Sequence, residues 1–403
     1  MDVTLSSAVH RRGGLHQQVT AMRRLLYFAV ALALGILAHC WTASEVPRDA
    51  LFLYIAAGLI FALAAERPAP WPTLPARRPW PRPAMGLAAL SLGMGLVAFA
   101  ILWRDLFNGV GFWLWLLAWP LFLVAAFWDR PPAGAGSAEK PSPHAWNRLV
   151  LRWEWGLLAV IVLVALFMRL WQIDTIPNGC QSDECNNGLD ALKWLRGGPY
   201  RPYAETNEGQ ATLFTYLIAL SFKLFGATVP NMRLVSAMIG TLTVIVLYLF
   251  VRDLFGPRSA LVISGLLATG RWHVTFSRIV YELIMMPLVE LLLALFLLRA
   301  LRGGRRRDWA LAGICLSLGL NTYTAFRVVP FAVAAFLLYW LATHRERWFR
   351  DLEGLGVMAV GAFLAIIPLG IYLVQHWRTF TSRISHISIT RDIERAGGSL
   401  EPF

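Results

Sequence analysis

The chain alternates long apolar runs with short basic connections, and that alternation leaves few folds open to it. A helix that crosses a bilayer needs roughly 17–25 mostly apolar residues, because its backbone polar groups must be satisfied within the segment. Runs that qualify cover about 25–42, 50–65, 85–103, 110–128, 154–171, 231–251, 259–275, 280–300, 308–324, 328–342 and 355–374. A hydrophobic share of 57% against 15% charged residues falls outside the balance of a soluble domain. The expected fold is all-α: a polytopic membrane protein of about eleven transmembrane helices.

One further run, ATLFTYLIALSFKLFG at 211–226, is short and carries Lys223. Charge decides its place. If it does not cross, one face collects Arg11, Arg12, Arg23 and Arg24, then Arg67, Arg77, Arg78 and Arg82, then Arg130, Lys140, Arg148 and Arg152. The same face gains Arg252, Arg258, the cluster from Arg299 to Arg307, and Arg345, Arg347 and Arg350, which makes it cytoplasmic. If 211–226 crossed, the later clusters would move outside. It is therefore expected to be a juxtamembrane helix at the outer interface, with the N-terminus inside and the C-terminus outside. The first run follows MRR as a start-transfer anchor would, without an evident cleavable signal, and the expected location is the plasma or inner membrane. A formal charge of +13 would suit a nucleic-acid binder only if the arginines formed one stripe, and they do not.

The connections RPAPWPTLPARRPWPRP and PPAGAGSAEKPSPH bracket the third and fourth runs as extended or flexible linkers. They divide the chain into residues 1–150, a cytoplasmic tail with four spans, and a core at 151–403 that includes an outer loop at 172–230. That loop is long for a connection without work to do. In CQSDECNNGLDALKWLRGG, Ser182 can cap a helix whose first turn holds Asp183 and Glu184, with Leu189, Leu192 and Leu195 on one side and Gly197 and Gly198 ending it. Acidic residues there can serve the helix dipole alone, or they can hold an ionised carboxylate at the membrane surface as a base. Cys180 and Cys185 flank the pair and can form a local disulfide, while Cys40 and Cys315 read as small buried thiols.

Other polar groups gather at the same depth. Arg278 and Glu282 stand four apart, so that one helical face could carry both, and Arg271 and His273 precede them. Asn321, Tyr323 and Arg327 mark another outer turn, and Arg233 opens the span after the juxtamembrane helix. Ionisable groups near spans are functional candidates because burying them is costly, although an ion pair or a snorkelling arginine explains each singly. Glu290 lies deeper, with no role evident from the sequence.

The ordered set SDECNNGLDALKWLRGG, GQATLFTYLIALSFKLFGATVPNMRLVSAMIG, FSRIVYELIMMP and WALAGICLSLGLNTYTAFRVVP resembles the GT-C membrane glycosyltransferases. Within them it is most similar to the protein O-mannosyltransferase and aminoarabinose transferase family. The resemblance covers about 150–400, departs from many relatives in having Glu282 rather than Asp, and suggests a chain shorter than its relatives at the C-terminus. It implies transfer of a sugar from a polyprenyl-phosphate carrier to an extracytoplasmic protein, lipid or glycan, with inversion. It also implies Asp183 as base, with Glu184 and Glu282 beside it, and Arg278, then Arg233 and Arg327, on the donor phosphate. Tyr323, His273, Arg271 and Asn321 would line the pocket. No cofactor is required by this scheme; some relatives use a divalent metal, which Asp183, Glu184 and Glu282 could bind. The competing reading is a transporter or flippase for lipid-linked or anionic substrates, though such proteins more often place charges at the midplane and show repeats. A structural subunit would leave the acidic loop unexplained.

Overall fold

The computed structural model describes residue 30 and residues 79–128, 145–198, 201–204 and 209–377. The runs expected at 25–42 and 50–65, and the two proline-rich linkers, lie almost wholly outside them. The helices are α1 Arg82–Arg104, α2 Gly109–Phe127, α3 Ala145–Leu170 and α4 Ser182–Leu195. A short antiparallel pair, β1 Tyr203–Ala204 and β2 Gln210–Ala211, precedes α5 Leu213–Phe225. Then follow α6 Val229–Phe255, α7 Pro257–Thr269, α8 Arg271–Phe276 and α9 Met285–Gly303. The last are α10 Arg306–Leu320, α11 Val329–Thr343 and α12 Trp348–Gln375.

Among the described residues, seven helical stretches are long and apolar enough to cross a membrane: 82–104, 109–127, 153–170, 229–255, 282–303, 324–343 and 345–375. Two expected spans fall short. The run 259–275 breaks at Gly270 into α7, of 13 residues, and α8, of 6. The run 308–324 yields α10, of 15 residues. At about 1.5 Å per residue neither helix alone reaches across a hydrocarbon core of about 30 Å. The first of them, α7, still has contacts at two levels along α3. Ala260 packs with Leu158, Tyr248 and Val251 near one end, while the Ala268 carbonyl accepts from Arg169 at the other.

Turn chemistry fixes the reversals. Asn108 caps α2 by accepting from the Gly111 amide, and the Thr228 hydroxyl caps α6. Gly256, with φ of 84°, separates α6 from α7 in a conformation that side chains rarely adopt. Small residues then let helices close on one another. A Cβ at Gly313 of α10 would stand 2.0 Å from the Met358 carbonyl oxygen of α12, so these two backbones touch. The α1–α2 hairpin, joined by a Ser91 hydroxyl bond to the Ala118 carbonyl, packs on the same helices: Trp115 donates to the Leu364 carbonyl of α12. The third and fourth apolar runs, α1 and α2, thus pack against α12.

Helix α5 is too short to be a candidate span, and lies beside α4 and α6 with Phe214, Ile218 and Phe222 buried. Its Leu220, Leu224 and Phe225 are exposed.

Candidate functional site

The site begins where α3 ends. The chain turns through Gln172, passes a cis Ile176–Pro177 bond and enters α4 at Ser182. Ser182 does not cap the helix as expected: Gln181 occupies the cap, without a side-chain bond, and Ser182 is the first helical residue. Cys180 and Cys185 are joined in a disulfide, with Cα atoms 5.8 Å apart, that ties the cap region to the first turn. Cys315 is buried, as expected of a small apolar thiol.

Helix α4 faces the opposite way from the simple amphipathic reading. Leu189 and Leu195 are exposed, whereas Glu184, Asn187, Gly188, Asp190 and Ala191 are buried. Arg233 explains the inversion. Its guanidinium and the Glu184 carboxylate, both fully buried, meet in a two-pronged ion pair, Nε to Oε1 at 2.7 Å and Nη2 to Oε2 at 2.9 Å. The remaining donors go to backbone carbonyls of the preceding loop, Ile173 at 3.1 Å, Pro177 at 2.9 Å and Gly179 at 2.5 Å. Five N–H groups make five bonds, which leaves Arg233 no donor for a phosphate in this arrangement. A buried pair of this kind is tolerated only because each lone pair and proton is matched.

Asp183 has a different environment one residue away. It is half-buried, and among the described residues its carboxylate receives one hydrogen bond, from the Tyr281 hydroxyl to Oδ2 at 2.7 Å. That bond, and secondarily burial, push the Tyr281 phenol up to about 12, so it stays a donor at neutral pH. Tyr281 sits in extended backbone, with φ of −121° and ψ of 131°, just before a 3₁₀ turn at Glu282–Ile284. Arg278 and Glu282 therefore do not share a helical face. The residues between α8 and that turn are not helical, and Glu282 is buried at its first position.

Arg278 is half-buried and closes the end of α3. Its Nη1 donates to the Met168 carbonyl at 2.8 Å, and its Nη2 to those of Trp171, Gln172 and Ile176 at 2.6, 3.2 and 2.9 Å. A cation suits these helix-terminal carbonyls, which carry the negative end of the dipole. Burial, and then nearby Arg233, lower its pKa from the ordinary arginine value.

Further polar groups fall into two flanking sets. In one, fully buried Arg169 donates to the Ala165 and Ala268 carbonyls and meets His273 Nδ1 at 2.8 Å, so that His273 is buried beside an arginine. The Cβ of any larger residue at Gly240 would collide with the Ser277 hydroxyl and approach Arg169 Nε, which makes glycine the residue that fits there. In the other, Arg327 Nη2 lies 3.5 Å from the Tyr203 hydroxyl, and the Tyr203 ring stacks on Tyr372. Tyr323 opens the 3₁₀ turn that carries Arg327, Asn321 bonds back to Ser317 of its own helix, and Arg271 is exposed.

Between them, Asn187 of α4 donates to the Val280 carbonyl at 3.1 Å and accepts from Gln210 at 2.6 Å. The hairpin, α4 and the Tyr281 segment are thereby locked side by side. Asn187, Gln210, Arg169 and Tyr281 were not singled out by the sequence reading. Arg169 had a signal, a charge in the last turn of an apolar run; Tyr281 had only its place beside an acidic residue at a span's start. Among the described residues no three His, Cys, Asp or Glu side chains group as metal ligands.

Residues 210–389 match the family model described as dolichyl-phosphate-mannose-protein mannosyltransferase. The similarity covers somewhat less than half of the chain. The mannosyltransferase match runs from β2 to beyond α12, taking in Arg233, His273, Arg278, Glu282 and Arg327, and begins after Asp183 and Glu184. With the apolar helices, the match is consistent with a multi-pass membrane glycosyltransferase of the GT-C type that takes its sugar from a polyprenyl-phosphate carrier. No curated protein matches the chain, and no solved structure does.

Proposed function

We propose that the chain moves a sugar from a polyprenyl-phosphate carrier to an acceptor at the outer face of the membrane, with inversion, using Asp183 as the base. The observation that carries this reading is the separation of two adjacent acids. Glu184 is fully buried and neutralised by Arg233, whereas Asp183 is half-exposed and held by a neutral phenol. An ion-paired carboxylate is a poor base; a carboxylate oriented by one hydroxyl keeps an oxygen for the acceptor proton. Asp183 takes that proton as the acceptor oxygen attacks the anomeric carbon, and the bond to the carrier phosphate breaks with its electrons.

The departing phosphate gains charge in the transition state and needs cations near it. Arg327 and the outer edge of Arg278 are assigned to it, and Arg233 is reassigned to holding the loop. Glu282, next to Tyr281, serves the sugar or acceptor side, and Tyr323, Asn321, Arg271 and His273 belong to the surrounding wall.

Sugar transfer from a panel of radiolabelled polyprenyl-phosphate sugars, in membranes holding wild type or Asp183→Asn, tests the reading. Label reaching an acceptor only with wild type supports it. Movement of carrier lipid across the bilayer without transfer would establish a flippase instead. The orientation is tested separately: an impermeant thiol reagent outside the cell should label Arg201→Cys and spare Arg305→Cys.

A further inference from the structure

Tyr281 is the one side chain among the described residues that holds the Asp183 carboxylate, and its own position is set from several directions. Phe276 meets its ring edge-on, with centroids 6.5 Å apart at 90°. The preceding residue, Val280, is fully buried, and its carbonyl accepts from Asn187, one helical turn beyond Asp183 on α4. Two bonds therefore join the same two segments, Asn187 to the Val280 carbonyl and Tyr281 to Asp183 Oδ2. They fix where the carboxylate sits and how it is rotated. The extended backbone at Tyr281 sends neighbouring side chains to opposite sides, which lets the phenol reach α4 between buried Val280 and buried Glu282.

We propose that Tyr281 is a positioning residue for transfer: its hydroxyl grips Oδ2 of Asp183 and so presents Oδ1 to the acceptor hydroxyl. This rests on Asp183 being the base. Glu184 is held by Arg233, so among the described residues the phenol is what orients the Asp183 carboxylate. Without the hydroxyl the carboxylate can rotate, and it faces the acceptor oxygen only part of the time.

The test compares wild type, Tyr281→Phe and Asp183→Asn as full-length chains in membranes, with the radiolabelled polyprenyl-phosphate sugar that wild type turns over. Tyr281→Phe keeps the ring, and its folding is checked by thermal unfolding in detergent. It should lower kcat roughly tenfold and leave the donor KM within about twofold. In the Asp183→Asn background the same substitution should lower the residual rate no further, because the phenol acts only through the carboxylate. A wild-type rate for Tyr281→Phe, or an equal fall in both backgrounds, overturns the proposal, since a merely structural tyrosine acts independently of Asp183. If Asp183→Asn transfers sugar at the wild-type rate, the base assignment fails, and the positioning role with it.

Discussion

The two ends of the helical bundle treat charge in opposite ways. At the end where α6 and α9 finish and α10 and α12 begin, arginines meet carboxylates directly. The pairs are Arg252–Glu154, Arg299–Asp253, Arg306–Glu353, Arg307–Asp308 and Arg347–Asp351. Aromatic groups close this set: the Trp80 indole donates to Glu353 and lies under Arg306, and the Trp340 indole donates to Asp351. At the α4 end Arg233–Glu184 and Lys193–Asp190 are paired in this way. There Arg278 and Arg169 spend their donors on carbonyls and a histidine, and Asp183 is held by a phenol. Charges cancelled by charges make a frame. Charges held by neutral groups keep their field for a substrate, which under the proposed function makes the α4 end the reacting one.

The sharpest way to break this comparison is to neutralise Asp183. Asp183→Asn should lower sugar transfer by roughly 10²–10⁴-fold, the usual worth of a general base, with thermal unfolding in detergent nearly unchanged. Arg233→Met should do the reverse of that in kind: it leaves Glu184 buried without its partner. Such a break costs about 3–5 kcal/mol, visible as a large fall in unfolding temperature or as loss of folded protein. Glu184→Gln combined with Arg233→Met should recover part of that loss, because the uncompensated charge is gone. At the opposite end, Glu154→Gln removes charge from a cluster with Tyr248 and a partly exposed Arg252, so the cost should be smaller, about 1–3 kcal/mol. Its kcat and KM should stay at wild-type values. A kinetic defect in Glu154→Gln without a stability change would show that the far end also takes part in turnover.

Much of the helical path could be read from hydropathy because a span of apolar residues has few alternatives. The seven long helices fall on expected runs, and α5 proved too short to be counted with them. What failed was local. The run 259–275 looks continuous in composition, yet one glycine at 270 splits it, and the sequence carries no measure of whether tertiary contacts will bridge such a break. The family resemblance put Arg233 on the donor phosphate; its partners in the structure are Glu184 and carbonyls of the loop at 173–179, and the carbonyls have no side-chain signature. The spacing of Arg278 and Glu282 suggested one helical face, but the residues between α8 and the 3₁₀ turn are not helical. The catalytic reading of Asp183 over Glu184 depends on burial, and two adjacent acids in one motif give no hint of which will turn inward.

The smallest expected effect concerns α4, where the sequence reading and the structure differ most plainly. An amphipathic helix at an aqueous surface buries its leucines, and Leu189, Leu192 and Leu195 invite that reading. Here only Leu192 joins the core; Leu189 is 55% exposed and Leu195 42%. The polar side turns inward because Arg233, the Val280 carbonyl and Gln210 wait there for Glu184 and Asn187. Leucines left outside are no penalty if the outer surroundings are the membrane interface. Leu189→Ser should therefore change unfolding in detergent by no more than about 0.5 kcal/mol, as expected of a largely exposed site. Asn187→Leu, which keeps the number of side-chain heavy atoms but removes two buried hydrogen bonds, should cost about 1–3 kcal/mol. If the order were reversed, with Leu189→Ser the more damaging, the leucine face would be the packed one, and the placement of Asp183 beside Tyr281 would fall with it.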